Sequence, residues 1–317
     1  MFSWLAIRSG ENILTVEEQV IFWTKFGGYT APLRDKLLSI VETRKLVKNV
    51  RTVLRSQTTK MMMSNGFVFY GIVGQTGGGK ALLYHVIKVE TGEVKCGKVY
   101  RIDGETEETV HAEINGSAAV HEGGKNLHIV CYEAIVKFKH ESTVYGDMVA
   151  LIMPLYQISL ADIIEAFYQT QLPKNMFLKV AHCVLGAGAR FHELDQGHCD
   201  FKPENIMMTG NTFTVIDLGS VCSYNDQPRE CTVGYYLDAP IHKLTPIFDL
   251  NCAAVTLARC CFSDFKVSRG MTRAHLLEIN SREHASTSVY SQVLNICLTA
   301  NNCGEAFTKY QYLTDLI

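Results

Sequence analysis

The chain has 317 residues, of which 47% are hydrophobic and 20% are charged, and its formal net charge is −2. This length and composition allow one large or two medium domains with a substantial apolar core. The near-neutral balance of charge argues against a nucleic-acid-binding or membrane-surface protein.

The 11 cysteines are odd in number and follow neither a C-x-x-C nor a zinc-finger spacing. Cys260 and Cys261 lie in an apolar run, which is typical of buried, reduced thiols. We therefore expect a reducing, intracellular compartment, either cytoplasm or nucleus. The opening MFSWLAIRSGEN lacks the basic start and long apolar run of a signal peptide. No uncharged stretch reaches the ~18 residues that a membrane-spanning helix needs.

Residues 1–65 are predicted to form a helical extension and a linker. Thr15 and the acidic residues after it are typical of a helix start, and a second helix is expected from Pro32 to about Arg55. The basic residues of its second half are Arg44, Lys45, Lys48, Arg51 and Arg55. They are expected to form a solvated face, and the alternative is a docking surface for an acidic partner. Residues 56–66 are interpreted as the linker.

Three strand-like runs follow, at residues 67–73, 81–89 and 94–100, and a glycine-rich segment joins the first two. Glycines allow backbone N–H groups to approach a phosphate closely. The segment Gly74–Lys80 also satisfies the G-x-x-x-x-G-K pattern of a P-loop. However, Ala81 has no hydroxyl for a metal ion, and strand is predicted where a P-loop requires a helix. A P-loop NTPase is therefore retained only as an alternative.

The remaining elements are predicted mainly from apolar spacing. A helix is expected over 105–120, and strands are expected over 127–138 and 144–153. Ser159 and Asp162 form a capping-box pattern that opens the next helix. Further helices are predicted at 176–194, 248–262, 273–279 and 289–300.

The most informative stretch is HCDFKPEN, residues His198–Asn205, which is followed by Asp217, Leu218 and Gly219. Between these motifs, residues 206–216 read as a strand, a polar turn and a second strand. Such a hairpin brings the acid and the amide of the first motif close to the acid of the second.

HCDFKPEN and DLG together resemble the catalytic loop and the metal-binding motif of the eukaryotic protein kinase superfamily, H-R-D-x-x-x-x-N and D-F-G. The resemblance covers residues 66–317 and implies an α+β, bilobal fold. A small antiparallel β-sheet lobe with one helix would span 66–152, and a larger, mainly helical lobe would span 159–317. The hinge would lie at 153–158. Compact, divergent kinases of this kind also occur in large DNA viruses, in which case the compartment would be that of a host cell.

The resemblance implies a role for each motif residue. Asp200 would accept the proton of the attacking hydroxyl, and Lys202 would be a fixed cation beside the transferred phosphate. Asn205 and Asp217 would hold magnesium against the phosphates. ATP and Mg²⁺ are accordingly the expected cofactors.

The strand-three lysine of the family corresponds to Lys98. We choose Glu113 as the acid that pairs with it and orients it towards the α- and β-phosphates, with Glu107 and Glu108 as alternatives.

The resemblance also implies a nucleotide pocket. The glycine-rich loop departs from G-x-G-x-x-G, because Leu82 falls where the third glycine belongs. In the hinge, Pro154 keeps the carbonyl that the family directs towards adenine and lacks only an N–H that the family does not use at this position. The residues assigned to ATP are Val73, Gly74, Gly77, Gly78, Gly79, Lys98, Met153, Pro154 and Tyr156.

The sequence departs from the family pattern at two structural positions. Cys199 stands where the family has an arginine that pairs with a phosphorylated residue of the activation segment, which corresponds to residues 217–240 here, so we expect activity without such phosphorylation. Ile241 stands where the family has the glutamate of A-P-E. Asp249 is expected to anchor the backbone of the catalytic loop.

Within the family, Lys202 and Thr232 favour serine and threonine as acceptors. The predicted function is therefore that of an ATP-dependent protein serine/threonine kinase, with protein substrates and with no nucleic-acid or membrane partner. Two alternatives are a pseudokinase that acts as a scaffold and a small-molecule phosphotransferase of the same fold. The run Lys202-Pro203-Glu204 favours the protein-kinase branch over the latter.

Overall fold

The computed structural model describes residues 62–64, 66–75, 81–88, 90–102, 104–122, 124, 126–139, 147–167, 171–228, 231–238, 242–262, 265–283 and 287–315. The two predicted helices of the N-terminal extension, and the basic face of the second of them, lie outside the described residues. So do Gly77, Gly78, Gly79 and Ile241.

The chain divides into two compact units. Of the described residues, the first unit comprises those up to Glu107 together with Tyr132–Leu155, and the second comprises those of Glu108–Cys131 together with Tyr156–Ile317. The boundary after Leu155 lies within the predicted hinge. Residues 108–131 group with the second unit, whereas the predicted division placed them in the first lobe.

The first unit contains a six-stranded antiparallel sheet with the strand order β1-β2-β3-β4-β6-β5. The strands are β1 (Met62–Ser64), β2 (Phe67–Gln75), β3 (Ala81–Lys88), β4 (Val94–Arg101), β5 (Ala134–Lys139) and β6 (Asp147–Pro154). The linker predicted for residues 56–66 is corrected at residues 62–64, which form β1 and pair with β2.

The predicted strand over residues 127–138 is also corrected, since it begins only at Ala134. Ile129 and Val130, earlier in the predicted strand, bond elsewhere. Ile129 forms a parallel bridge with Val215, and the N–H of Val130 donates to the Val215 carbonyl at 2.8 Å. Apolar alternation alone does not reveal which partner a strand-like segment will choose.

Apolar side chains cover one face of the sheet of the first unit. The buried members of this cluster are Phe67, Phe69, Val86, Val99, Val136, Ala150 and Ile152. Gly97 lies where no side chain fits, because a Cβ there would be 2.7 Å from Val86 Cγ2 and 2.8 Å from a ring carbon of Phe69. The sheet is therefore closely packed at the middle of β4, one residue before Lys98.

Helices dominate the second unit. The helices of the described residues are α1 (Gly104–His121), α2 (Leu160–Ala166), α3 (Lys174–Glu193), α4 (Phe248–Cys261), α5 (Arg273–Glu283), α6 (Val289–Thr299) and α7 (Cys303–Asp315). Five short strands form two small sheets in this unit: β7 (Ile158–Ser159), β8 (Gln196–Gly197), β9 (Ile206–Thr209), β10 (Thr212–Val215) and β11 (Cys222–Ser223). The α+β class, with an antiparallel sheet followed by a mainly helical part, is confirmed.

The two central helices, α3 and α4, form the core of the second unit. Phe177, Val184 and Phe191 of α3 are fully buried, and α4 exposes almost none of its side chains. Gly188 allows α3 to approach α7, because a Cβ at this position would lie 2.7 Å from Cys303 Sγ. This packing gives a rigid base to the loop that follows α3.

The end of α1 is capped by Arg190 of α3, which donates to the carbonyls of Ala119 and Val120 in its last turn and to that of Glu122 just beyond it. His121 continues this connection, since its Nε2 lies 3.1 Å from the Val130 carbonyl. These bonds explain why residues 108–131 group with the second unit. In the part of the chain that the structure describes, no helix has both the length and the apolar character needed to cross a bilayer.

Candidate active site

The predicted hairpin is present as β9 and β10, which pair Ile206 with Val215. Just beyond this pair, the N–H of Ile216 donates to the carbonyl of Asn205 at 2.8 Å. Asn205 precedes the first strand and Asp217 follows the second. The two residues are therefore brought together at one end of the hairpin, as the sequence predicts.

Asp249, in the first turn of α4, anchors the loop between α3 and the hairpin. Its carboxylate accepts hydrogen bonds from the backbone N–H of His198 at 2.6 Å and of Cys199 at 2.8 Å. Burial raises the pKa of the Asp249 carboxyl, although these donors oppose the shift. Thr256, two turns further along α4, donates to the Phe201 carbonyl at 3.0 Å. The anchoring role predicted for Asp249 is confirmed.

His198 connects the same loop to the hairpin. Its Nδ1 accepts the N–H of Asp200 at 3.2 Å, so Nε2 carries the hydrogen and donates to the Ile216 carbonyl at 3.1 Å. The imidazole also stacks on Phe201, with ring centroids 4.7 Å apart. His198 has no predicted role of its own in the sequence, although its place in an H-x-D motif is a signal for one.

Asp200 lies at the centre of a dense hydrogen-bond network. Its Oδ2 accepts from Lys202 Nζ at 2.6 Å and from Asn205 Nδ2 at 2.9 Å. Its Oδ1 accepts from Thr232 Oγ1 at 2.6 Å and from the Thr232 N–H at 3.2 Å. Lys202 also donates to Thr232 Oγ1 at 2.8 Å. Two other predicted site residues, Lys202 and Asn205, therefore meet Thr232 at the carboxylate of Asp200, a residue that is only 8% exposed.

Helix α1 approaches the Asp217-Leu218-Gly219 motif closely. Asp217 has a left-handed backbone with φ of 66°, a conformation that aspartate tolerates better than most residues. A Cβ on Gly219 would lie 2.8 Å from Thr109 Cγ2 and 3.4 Å from Glu113 Oε1. Glu113 is fully buried. The acid chosen from the sequence therefore lies beside the predicted metal-binding motif.

Lys98 occupies the middle of the sheet in the first unit and is only 4% exposed. It pairs with Leu83 of β3, which in turn pairs with Gly74 of β2. At the usual strand spacing, this register places Gly74 about 10 Å from Lys98. Lys98 Nζ lies 5.2 Å from the ring centroid of Tyr100, a distance that permits a cation–π contact.

The predicted hinge begins inside a strand. Met153 and Pro154 are the last residues of β6 and pair with Cys96 and Lys95 of β4. Val73 lies in β2, and Tyr156 begins the second of the two chain segments that form the second unit. The nucleotide contacts of these residues, and the pairing of Lys98 with Glu113, remain predictions.

A family model of the protein kinase domain matches residues 67–240, which is more than half of the chain. The matched segment contains Lys98, Glu113, Asp200, Asn205 and Asp217. The chain belongs to the protein kinase family.

The P-loop alternative is wrong for this kinase. Residues Ala81–Lys88, which follow the glycine-rich segment, form a strand. A P-loop binds phosphate at the N-terminus of a helix, and that helix is missing at the position where the motif requires it.

Asn205 and Asp217 have donor atoms that suit magnesium. Asn205 uses its Nδ2 twice to bond Asp200, so its Oδ1 is the atom that remains for a cation. Mg²⁺ prefers oxygen ligands and in kinases is held by few protein groups together with the phosphates of the nucleotide. Among the described residues no group of three or more His, Cys, Asp or Glu side chains could hold a metal alone. The donor set therefore fits Mg²⁺ bound together with a nucleotide.

Proposed function

We propose that this kinase transfers the γ-phosphate of ATP to serine and threonine hydroxyls of proteins, with Mg²⁺ as its metal cofactor. The observation that supports this proposal most directly is the bridge formed by Lys202, whose Nζ lies 2.6 Å from Asp200 and 2.8 Å from Thr232. A lysine two positions after the catalytic aspartate, joined to a threonine of the activation segment, agrees with the serine/threonine pattern that the sequence resembles.

In the proposed reaction, Asp200 accepts the proton of the acceptor hydroxyl while the oxygen of that hydroxyl attacks the γ-phosphorus and ADP leaves. A carboxylate has about four acceptor sites, and Lys202, Asn205 and Thr232 already donate four hydrogen bonds to Asp200. To donate its proton to Asp200, the hydroxyl of the protein substrate must therefore replace one of these donors. The hydrogen bond from the Thr232 hydroxyl should cost the least free energy to break, because this group is neutral and can rotate while it still accepts from Lys202.

The other predicted residues have supporting roles in this proposal. Lys202 is held by Asp200 and Thr232 and would stabilise the charge of the transferred phosphate. Asn205 and Asp217 would hold Mg²⁺, which neutralises phosphate charge when it is bound. Lys98, kept in register by the closely packed sheet of the first unit, would contact the α- and β-phosphates.

The test is a transfer assay with the full chain, labelled ATP, Mg²⁺ and a generic basic protein. We expect labelled phosphoserine or phosphothreonine from the wild type, and a loss of at least about 100-fold for Asp200→Asn and Asp217→Ala. Asp226→Asn is the matched control, because Asp226 is an exposed aspartate outside the two catalytic motifs.

Three outcomes would contradict the proposal. Nucleotide binding without transfer by the wild type would favour the pseudokinase. Label found only on small molecules in a cell extract would favour a small-molecule phosphotransferase. Label found only on tyrosine would reject the acceptor class while retaining protein kinase activity.

A further inference from the structure

Two thiols lie in contact beside the catalytic aspartate. Cys199 Sγ and Cys222 Sγ are 3.6 Å apart. Cys199 directly precedes Asp200 in the catalytic loop, and Cys222 follows the Asp217-Leu218-Gly219 motif at the start of the activation segment. The contact therefore joins the two segments that flank the proposed site.

Backbone pairing on both sides keeps the sulfur atoms close together. Cys222 in β11 pairs with Gly197 in β8, two residues before Cys199. Cys199 has a left-handed backbone with φ of 66°, and its N–H is held by Asp249. A disulfide has an S–S distance of about 2.05 Å, so the sulfurs must approach by roughly 1.5 Å. The strand β11 has only two residues and lies at the edge of a two-stranded sheet, so it can supply this movement.

We propose that Cys199 and Cys222 form a reversible disulfide when the kinase meets a peroxide. In the first step, the Cys222 thiolate attacks hydrogen peroxide to give a sulfenic acid and hydroxide, which takes up a proton and becomes water. In the second step, the Cys199 sulfur displaces the sulfenic oxygen, which leaves as a second water. The two thiols together lose two electrons and two protons, and one peroxide is reduced to two waters.

The order of the two steps follows from the access of peroxide to each sulfur. Cys199 is fully buried, whereas Cys222 is partly exposed and lines an open cleft of about 500 Å³ together with His111 and Asn115 of α1. The hydrogen bond with Cys222 and burial raise the pKa of the Cys199 thiol, so it is a poor first nucleophile. Peroxide therefore reaches Cys222 first, and Cys199 is the resolving thiol already in contact with it.

The disulfide would replace a connection that this kinase lacks. In the protein kinase family, an arginine at the position of Cys199 joins the catalytic loop to the activation segment through a phosphate. Here a covalent bond between Cys199 and Cys222 would join the same two segments in response to oxidation. The chemistry depends only on the positions of the two sulfurs, so it can be tested independently of phosphate transfer.

The test uses the folded full chain, reduced with dithiothreitol, freed of reductant and exposed to hydrogen peroxide before remaining thiols are alkylated. A protease that cleaves after glutamate releases residues 194–204 and 205–230 as separate peptides, each with one cysteine. We expect these peptides to stay joined in most of the oxidised sample and to separate after dithiothreitol. Amide hydrogen exchange over residues 221–226 should slow at least several-fold in the oxidised protein.

Variants make the assignment specific. Cys199→Ser and Cys222→Ser should each abolish the joined peptides, whereas Cys231→Ser should leave them unchanged, because Cys231 is a partly exposed thiol of the same segment outside the pair. The proposal is overturned if oxidised wild type yields separate peptides, with Cys222 present as sulfinic acid or joined to another cysteine. It is also overturned if the joined peptides persist in Cys199→Ser.

Discussion

Arg190 donates a hydrogen bond from Nε to the backbone carbonyl of Val120 at 3.0 Å, and so ties α3 to the end of α1. Its Nη2 also donates to the carbonyls of Ala119 at 3.3 Å and Glu122 at 3.0 Å. The carbonyls of Ala119 and Val120 belong to the last turn of α1 and that of Glu122 follows it, so all three lie at the negative end of the helix dipole. A guanidinium suits them because it combines several N–H donors with a positive charge. The helix that carries Glu113 is therefore fixed at its C-terminal end by the helix that leads into the catalytic loop.

We predict that Arg190→Met destabilises the protein by about 2 kcal/mol, because it removes hydrogen bonds from a charged donor to three carbonyl groups. Urea unfolding measures this change, and hydrogen exchange of the last turn of α1 should become faster. Arg190→Lys should recover only part of the lost stability, since an ammonium group cannot reproduce the planar set of N–H donors of a guanidinium. Arg269→Met, at an exposed arginine, is the control. Equal stability of Arg190→Met and the wild type would show that the cap is dispensable.

Asp249→Asn is predicted to destabilise the catalytic loop more than it disturbs α4. An amide offers one oxygen, so at least one of the buried N–H groups of His198 and Cys199 would lose its acceptor, at a cost of about 1–3 kcal/mol. We expect a lower unfolding midpoint and a reduced rate of phosphate transfer, with helical circular dichroism unchanged. An Asp249→Asn protein with wild-type stability and transfer rate would contradict the anchoring role.

Most of the active-site region was predictable because its residues lie in short motifs of fixed spacing. The hairpin between Asn205 and Asp217 is local, and its two strands and turn occupy the 11 consecutive positions 206–216. The contact of Arg190 with Val120 had no such signal, since its partners are about 70 residues apart. The segment before Ala134 was misjudged for the same reason, because it bonds to Val215 rather than extending β5. Local sequence patterns therefore predicted the motifs. The contacts of Arg190 and of the segment before Ala134 depend instead on partners that are far away in the sequence.

Thr232→Val is predicted to lower kcat by about 10- to 100-fold with little change in KM for ATP. Valine keeps the shape of threonine but removes the oxygen that accepts from Lys202 at 2.8 Å and donates to Asp200 at 2.6 Å. Thr232→Ser keeps that oxygen and should retain most of the activity. Steady-state kinetics at saturating protein substrate provide the measurement. If the serine and valine variants are equally impaired, the hydroxyl is not the group that matters.

We predict that phosphatase treatment of the purified kinase leaves its transfer rate within about twofold of the untreated rate. Cys199 offers no cation that could hold a phosphorylated residue of the activation segment. Intact mass before and after treatment should verify that any phosphate has been removed, and the rate should be measured after the phosphatase has been inhibited. Activity that disappears on treatment and returns after incubation with ATP would contradict this prediction.

Buried His85 should make the protein sensitive to mild acid. It lies in β3, and burial lowers its pKa to about 4. The unfolded chain binds a proton near pH 6.5 while the folded chain resists it, so the stability is fully present above pH 6.5 and falls towards pH 4. At pH 5 the loss from this one group is about 2 kcal/mol relative to neutral pH. Urea unfolding at pH 7.5 and pH 5 should therefore show a smaller difference for His85→Gln than for the wild type. His275→Gln, at an exposed histidine of α5, should leave the wild-type difference unchanged. If the two variants behave alike, protonation of His85 does not account for the acid sensitivity.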